Sequence, residues 1–378
     1  MAKIRCGKTR AFCVGPCDYT ILVREYFLSF CAHMYSLSRQ SFSAVGCDPE
    51  SSDWDCFMRQ LLSVSDHLYD ADYENFDGRA SAEVMWKCLD VIQAFYNDGE
   101  EARRVREVLI EEAIHTVALV GDTLYVKHGG VPSGLPLTVV LNTLIGGFYQ
   151  YYAFLHLVPP QLAEATVFRR CVALKIYGDD NLGAITSGLW PHFNPSRIAS
   201  LLGELGIVIT PADKLSHDFG GPRSPAEVTF LKRGFAVEPS VNRSMYVPIM
   251  AEPTIQELTN WIHDNGDPYD MTVVNCDTAL RFAMFRGKEY FATMRTRILH
   301  AFARKSLPVP VLPTFSQLVR IFNETHCGAS LPPKQFILLA QDQGEREGCP
   351  QMMRELGSSA MPAQPAKLDN EGVTLMTQ

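Results

Sequence analysis

Apolar and polar positions alternate over short runs through the middle of the chain and give way to helical spacing beyond Glu252, so the sequence reads as two differently built regions. After Ser81, which can cap a helix, Val84, Cys88, Leu89, Ile92, Phe95 and Tyr96 fall on one helix face, and Asp98-Gly99 stops the run. A charged helix is expected from about Glu100. "HTVALVGDTLYVKHGG" predicts two short strands joined by Gly121-Asp122. "CVALKIY" and "LGAI" predict a second hairpin around Gly178-Asp179-Asp180-Asn181. Asn194-Pro195 opens a helix ending near Gly206, "IVIT" resumes a strand, and "EVTFLKRGFAV" with "SMYVPIM" forms a third strand pair. "TIQELTNWIH", "NCDTALRFAMF" and "EYFATMRTRILHAFARK" then read as helices of a separate helical domain. The pattern predicts an α+β core of antiparallel hairpins with helices on one face.

One segment tests that picture. From His128 to Ala163 there is no Lys, Arg, Asp or Glu, and "VVLNTLIGGFYQYYAFLHLV" is long enough to span a bilayer. Asn142, Gln150, His156, two internal glycines and the lack of a basic flank favour a helix buried in a large soluble core, starting near Leu135, over a membrane span.

Composition narrows the classes. A 378-residue chain with 47% hydrophobic residues can build two or three cores, and its polar stretch from about Gln341 is expected to stay disordered. The net charge of -8 argues against a surface that binds nucleic acid everywhere but leaves room for a basic channel inside an acidic shell. Eleven cysteines without a CxxC pair or a leader sequence predict reduced, mostly buried thiols. Cys6, Cys13, Cys17, Cys31 and His33 match no tight zinc spacing.

The candidate chemistry lies in "LKIYGDDNLG", where Asp179 and Asp180 place like charges side by side at a turn. A solvated hairpin tip is the ordinary reading. The other is a metal site, if a third acid converges on the pair, and "YDADYENFDGRA" supplies Asp72 and Asp77 at the end of a strand-like run. Magnesium takes oxygen ligands and keeps waters, so a few carboxylates plus substrate phosphates complete each shell. Two such ions about 4 Å apart stabilise both the attacking and the leaving oxygen of a phosphoryl transfer.

With the intervening motifs, the chain from Lys3 to about Phe322 resembles the RNA-dependent RNA polymerases of picornavirus-like (Picornavirales) positive-strand RNA viruses. "DYENFD" resembles the first palm motif, with Asp72 at the metal position and Asp77 at the position that senses the ribose 2′-hydroxyl. "GVPSGLPLTVVLNT" is similar to the second, placing Ser133, Thr138 and Asn142 at ribose-recognition positions, with Gly134 in a loop that template backbone approaches. "YGDD" fills the third. "GIVITPADK" resembles the fourth, with Lys214 at the general-acid position for pyrophosphate departure, and "VTFLKRGF" the fifth, with Lys232 and Arg233 at the primer. "KIRCGKTR" resembles the end of the basic fingers motif, so Lys3, Lys8 and Arg10 inherit the grip on the triphosphate. Because the chain opens inside that motif, it is expected to be a piece of a longer polyprotein.

The resemblance implies an α+β right-hand polymerase with an antiparallel-sheet palm, partial fingers and a helical thumb. Partial fingers are expected over 1–30, palm over 31–105 and 129–250, a fingers insertion over 106–128, thumb over 251–340 and a tail over 341–378. It further implies two Mg2+ ions held by Asp72, Asp179 and Asp180, with Mn2+ as a substitute. RNA template and primer and ribonucleoside triphosphates are the implied partners, with a peptide primer and other viral replication proteins as further ones. No transmembrane span is expected, and the implied setting is the host cytoplasm at membrane-associated replication complexes.

The residues support this independently. Choosing ribonucleotides requires polar groups at the 2′-hydroxyl, which Asp77, Ser133, Thr138 and Asn142 can provide. A reverse transcriptase would need a bulky gate there, for which Phe76 is the candidate. A lysine near metals and other cations can have a lowered pKa, which suits Lys214 to proton donation. Lys232 and Arg233 suit phosphate contacts that read no sequence. Two other classes compete. A serine hydrolase needs G-x-S-x-G, and this segment is G-x-x-S-G. A non-catalytic RNA-binding or membrane-anchored scaffold would use the uncharged segment.

Overall fold

The computed structural model describes residues 12–212, 218–262 and 266–326. The described helices are α1 (Cys17–Ser36), α2 (Ser52–Val64), α3 (Phe76–Arg79), α4 (Ala82–Phe95), α5 (Glu100–Ile114), α6 (Thr138–Leu157), α7 (Ala165–Cys171), α8 (Pro195–Glu204), α9 (Glu252–Glu257), α10 (Pro268–Met284), α11 (Lys288–Arg304) and α12 (Phe315–Ile321). The strands are β1 (Leu68–Tyr73), β2 (Val117–Val120), β3 (Thr123–Val126), β4 (Val172–Tyr177), β5 (Asp180–Ile185), β6 (Ile209–Thr210), β7 (Thr229–Phe230), β8 (Arg233–Val237) and β9 (Tyr246–Met250). The chain folds into two compact units: among the described residues one holds those up to Gly46 and Ala71–Gly220, the other Cys47–Asp70 and those from Gly221 onward.

The first unit is organised around a four-stranded sheet in the order β4-β5-β1-β6. β4 and β5 pair antiparallel through a two-residue turn, and β1 pairs antiparallel with β6, Asp72 opposite Thr210. Helix α6 lies against β4, and its two internal glycines show why an uncharged helix of this composition belongs in a core. A Cβ on Gly146 would stand 3.1 Å from Ile176 Cγ2, and one on Gly147 only 2.9 Å from the Phe42 ring. Buried Asn142, Thr143 and Gln150 interrupt its apolar surface, and among the described residues no helix is long and apolar enough to cross a membrane.

The predicted caps form as read. Ser81 accepts a hydrogen bond from Val84 N–H, and Asn194 accepts from Arg197 N–H with Pro195 in the first turn. An ion pair between a buried arginine and an exposed aspartate fixes the corner between α4 and α5. Arg106, 1% exposed, donates two hydrogen bonds to the Asp98 carboxylate (2.6 and 2.7 Å) and one to Gln93 (2.7 Å), under the Tyr96 ring. A buried lysine ties strand to loop in the same way. Lys175 of β4, also 1% exposed, donates to the carbonyls of Ser38 (2.9 Å) and Ser41 (2.7 Å). Its neighbour Ile176 exchanges backbone bonds with Phe42 and Ala44, so residues 38–44 are sewn along β4.

The second unit joins a three-stranded sheet, β7-β8-β9, to helices α2 and α9–α12. Its core gathers residues including Ile255, Leu280, Phe285, Phe291, Ile298 and Phe302, which realises the helical spacing seen beyond Glu252. The pattern reading of "EVTFLKRGFAV" as one strand is corrected here: it forms β7 and β8, folded back at Leu231-Lys232, which is the hairpin that the fifth motif's resemblance implies. Both turn residues have positive φ (48° and 61°), as the two-residue type I′ turn demands, although neither is Gly, Asn or Asp. Tertiary packing compensates, since Trp54 of α2 stacks on Phe235 (4.4 Å between centroids) and donates to the Gly234 carbonyl.

Candidate functional site

The site is assembled in the first unit from the end of β1, the β4–β5 turn and the start of α6. β1 carries Asp72 and stops at Tyr73. Asn75 then takes the left-handed conformation (φ 54°, ψ 46°), which swings the chain into the short α3 and presents Asp77 in its first turn. Asp180 is the first residue of β5, and β5 is the neighbour of β1 in the sheet, so the strand order brings the acids of the two motifs to adjacent strands. Gly178 has φ +63° at the first central position of the turn and Asp179 follows at the second, the arrangement of a type II′ hairpin. The adjacent acids therefore differ: Asp179 is in the turn itself, while Asp180 pairs with Tyr177 in the ladder.

Asp77 is the hub of a second cluster. Its Oδ1 accepts from Asn142 Nδ2 at 2.6 Å, and its Oδ2 accepts from the Ser133 hydroxyl. Its backbone carbonyl accepts from Val131 N–H (2.7 Å), which holds the loop carrying Ser133 against α3. An ionised carboxylate has about four acceptor positions, so two donors leave capacity for a substrate hydroxyl. Asn142 is 4% exposed, and its Oδ1 has no hydrogen-bond partner, a buried acceptor beside that capacity. Phe76, the candidate gate, is packed inward: it is 4% exposed, with its ring 4.3 Å from that of Tyr73 and edge-on to Tyr149.

The other expected residues are distributed differently. The Thr138 hydroxyl lies 2.8 Å from the carbonyls of both Pro132 and Leu135, within the loop that starts α6. Gly134, at φ +108°, packs its backbone on the Cys13 carbonyl, and Cys13 N–H donates to Ser133 O at 2.6 Å. In the second unit Lys232 is exposed at the β7–β8 turn. Arg233 turns inward, donating to Leu231 O (2.9 Å), 3.8 Å from Glu50 and over the Phe282 ring. Lys3, Lys8, Arg10 and Lys214 lie outside the described residues, as does the tail from 341 to 378.

Sequence reasoning missed Thr143. Its hydroxyl, fully buried, donates to Val139 O (2.7 Å) and accepts from Gly178 N–H (2.9 Å), tying α6 to the Asp179 turn. The available signal was an adjacent polar pair, Asn142-Thr143, inside a largely apolar helix.

The donors at the acid pair are carboxylates alone, which suits a hard divalent cation. Among the described residues no three His, Cys, Asp or Glu side chains form a ready-made ligand group, so the protein would supply only part of such a shell. Eight described cysteines are free thiols.

Comparison with known proteins identifies the family and the fold. The sequence profile described as viral RNA-dependent RNA polymerase matches residues 1–302. The chain is 31% identical over 305 residues to the genome polyprotein of Rice tungro spherical virus (strain A), covering 79% of this chain and 9% of that one. It is 32% identical over 332 residues to the RNA1 polyprotein of Cherry rasp leaf virus (83% and 14%), and 29% identical over 330 residues to the replicase polyprotein of Drosophila C virus (84% and 19%). A solved Sicinivirus 3Dpol RNA-dependent RNA polymerase shares the fold with a TM-score of 0.72 at 23% identity, over 86% of this chain and 65% of that one. The chain thus spans less than a fifth of these polyproteins and about two thirds of the solved polymerase.

Proposed function

The chain belongs to the viral RNA-dependent RNA polymerase family, and from that premise we propose that it carries the catalytic centre for RNA-templated transfer of ribonucleotides to a primer 3′-hydroxyl in replication of a positive-strand RNA genome. The observation that carries the reading is the Asp77–Ser133–Asn142 cluster built next to Asp72 and the Asp179 turn. A phosphate-transfer site needs only the acids; a sugar-reading cluster at its side is what a polymerase adds.

Asp72 and Asp179 would hold two Mg2+ ions, with Asp180 assisting and Mn2+ able to substitute, while water and the triphosphate complete the shells. When bound, the ions supply charge stabilisation to the attacking and leaving oxygens. Asp77, with Asn142 and Ser133 orienting it, accepts the ribose 2′-hydroxyl, and Thr138 shapes the loop that presents Ser133. Lys214 gives a proton to departing pyrophosphate, Lys3, Lys8 and Arg10 grip the triphosphate, and exposed Lys232 holds the primer end with inward-turned Arg233 bracing its turn, while the backbone that approaches Gly134 is that of Cys13 and not the template's. On this reading the first unit carries palm and fingers elements, and the helices beyond Glu252 the thumb. Its partners are RNA template and primer and ribonucleoside triphosphates, with a peptide primer and other viral replication proteins beyond them. The work takes place in the host cytoplasm at membrane-associated replication complexes.

Primer extension on an RNA template tests the reading. Asp179→Asn should reduce incorporation by at least a hundredfold, about the loss of one charge-stabilising group at a reacting centre. Near-normal incorporation by this variant would sink the metal assignment.

A further inference from the structure

The residue after the acid pair has no part in the mechanism above, yet it is among the most deeply buried polar groups of the first unit. Asn181 is 1% exposed, sits in β5 opposite Ile176, and donates from Nδ2 to the Asp179 carbonyl at 3.0 Å. Its Oδ1 is buried and has no hydrogen-bond partner. An apolar side chain would suit that place better than an amide with a stranded oxygen, so the amide is retained for what its nitrogen does. The orientation follows from the chemistry: turned the other way, the side-chain oxygen would face the Asp179 carbonyl oxygen, acceptor against acceptor.

The opposite side of the same turn is held as well. Thr143 accepts the Gly178 N–H at 2.9 Å from the first helical turns of α6. The two central residues of the hairpin turn are thus each fastened by a side chain, Gly178 through its N–H and Asp179 through its carbonyl. The seam leaves no slack, because a Cβ on Gly146 of α6 would meet Ile176 at 3.1 Å and Asn181 Oδ1 at 3.8 Å.

We propose that Asn181 is a positioning residue that fixes the main chain of Asp179, and through it the direction of the Asp179 carboxylate toward a divalent cation. This rests on the reading of Asp179 as a metal-holding residue. Groups that orient a ligand from behind typically cost tenfold to a hundredfold in metal affinity or activity when removed.

The test uses the full chain with Asn181→Leu, Asn181→Val and Asn181→Thr beside Asp179→Asn, and reads Mn2+ binding by electron paramagnetic resonance in the presence of ATP, alongside primer extension at varied Mg2+. Leu fills the space of the amide, and Val suits a strand, so either should keep the wild-type unfolding transition. Both apolar variants are expected to bind Mn2+ about tenfold more weakly and to need about tenfold more Mg2+ for half-maximal rate, with KM for the nucleotide within twofold of wild type. Thr, whose hydroxyl can donate, is expected to recover part of the loss. Folded apolar variants with wild-type Mn2+ affinity would overturn the proposal. If Asp179→Asn itself binds Mn2+ as wild type does, the failure lies in the metal reading beneath it. The wild-type chain, labelled with 15N-asparagine, gives a reading independent of any variant: the Asn181 side-chain amide protons should exchange slowly, and exchange at the rate of a free amide would overturn the bond to Asp179.

Discussion

Removing the Asp77 carboxylate should damage sugar selection far more than it damages the fold. In Asp77→Ala, Asn142 Nδ2 loses its 2.6 Å acceptor, and because Asn142 Oδ1 already lacks a partner, the whole amide is left buried and unpaired at 4% exposure. A hydrogen bond to a charged group is worth about 1.5–3 kcal/mol, so stability should fall by about 2 kcal/mol, with the half-buried Ser133 hydroxyl turning to water at little cost. On the proposed reading the same magnitude would apply to the bond from a 2′-hydroxyl to Asp77, which deoxyribose lacks. At about 1.4 kcal/mol per tenfold, the preference for ribo- over 2′-deoxyribonucleoside triphosphates should drop about 10- to 100-fold. Single-nucleotide incorporation with each sugar gives the ratio of kcat/KM values directly. Asn142→Ala should lower the preference less, since it removes an orienting donor and keeps the acceptor, and the double variant should lose less than the sum of the singles. A preference within twofold of wild type in Asp77→Ala, or strict additivity in the double variant, would refute the cluster as the sugar reader.

Two further predictions concern the scaffold under the site. Lys175→Met keeps the stem in the core but strands the Ser38 and Ser41 carbonyls, so urea unfolding should show a loss of about 3 kcal/mol, and a loss under about 1 kcal/mol would mean the buried ammonium is not what sews residues 38–44 to β4. The Arg106 hydrogen bonds hold the Asp98 carboxyl below the usual carboxylate range, so its stabilising contribution is complete above its unfolded value near pH 4 and disappears as pH falls through the depressed folded value. The gap in unfolding temperature between wild type and Asp98→Asn should therefore be full at pH 7 and shrink below about pH 4, whereas a gap unchanged at pH 3 would contradict the ionic origin.

Elements whose stop signals are local were legible. Ser81, Asn194 and Gly121-Asp122 each act on backbone within a few residues, and α4, α8 and the β2–β3 hairpin begin or turn where those residues stand. The β7–β8 turn was legible through the family resemblance, which implies a hairpin over "VTFLKRGF", and not from local pattern, because its conformation opposes local preference. Leu231 and Lys232 adopt positive φ, which side-chain-bearing residues resist, and the fold meets that cost through Trp54, which is remote in sequence and packs on Phe235. Helix α6 lies between these cases. Its length and missing charges permitted a membrane span, Asn142, Gln150, His156 and the glycines already favoured a buried helix, and the contacts of Gly146 and Gly147 with Ile176 and Phe42 show what the glycines serve.

The same distinction runs through the site. Asp72, Asp77, Asp179 and Asp180 announce themselves as acids where strand-like runs end or turn, and Ser133 and Asn142 as polar residues at a helix entrance. Thr143 and Asn181 do not, because each acts on the backbone of the Gly178-Asp179 turn, through an N–H and a carbonyl that every sequence possesses. Side chains that serve main-chain groups leave no pairing signature of their own. Buried polarity is what exposes them: a threonine and an asparagine fully enclosed, in a helix and a strand that would otherwise take apolar residues, mark the point where packing has yielded to placement of the acid between them.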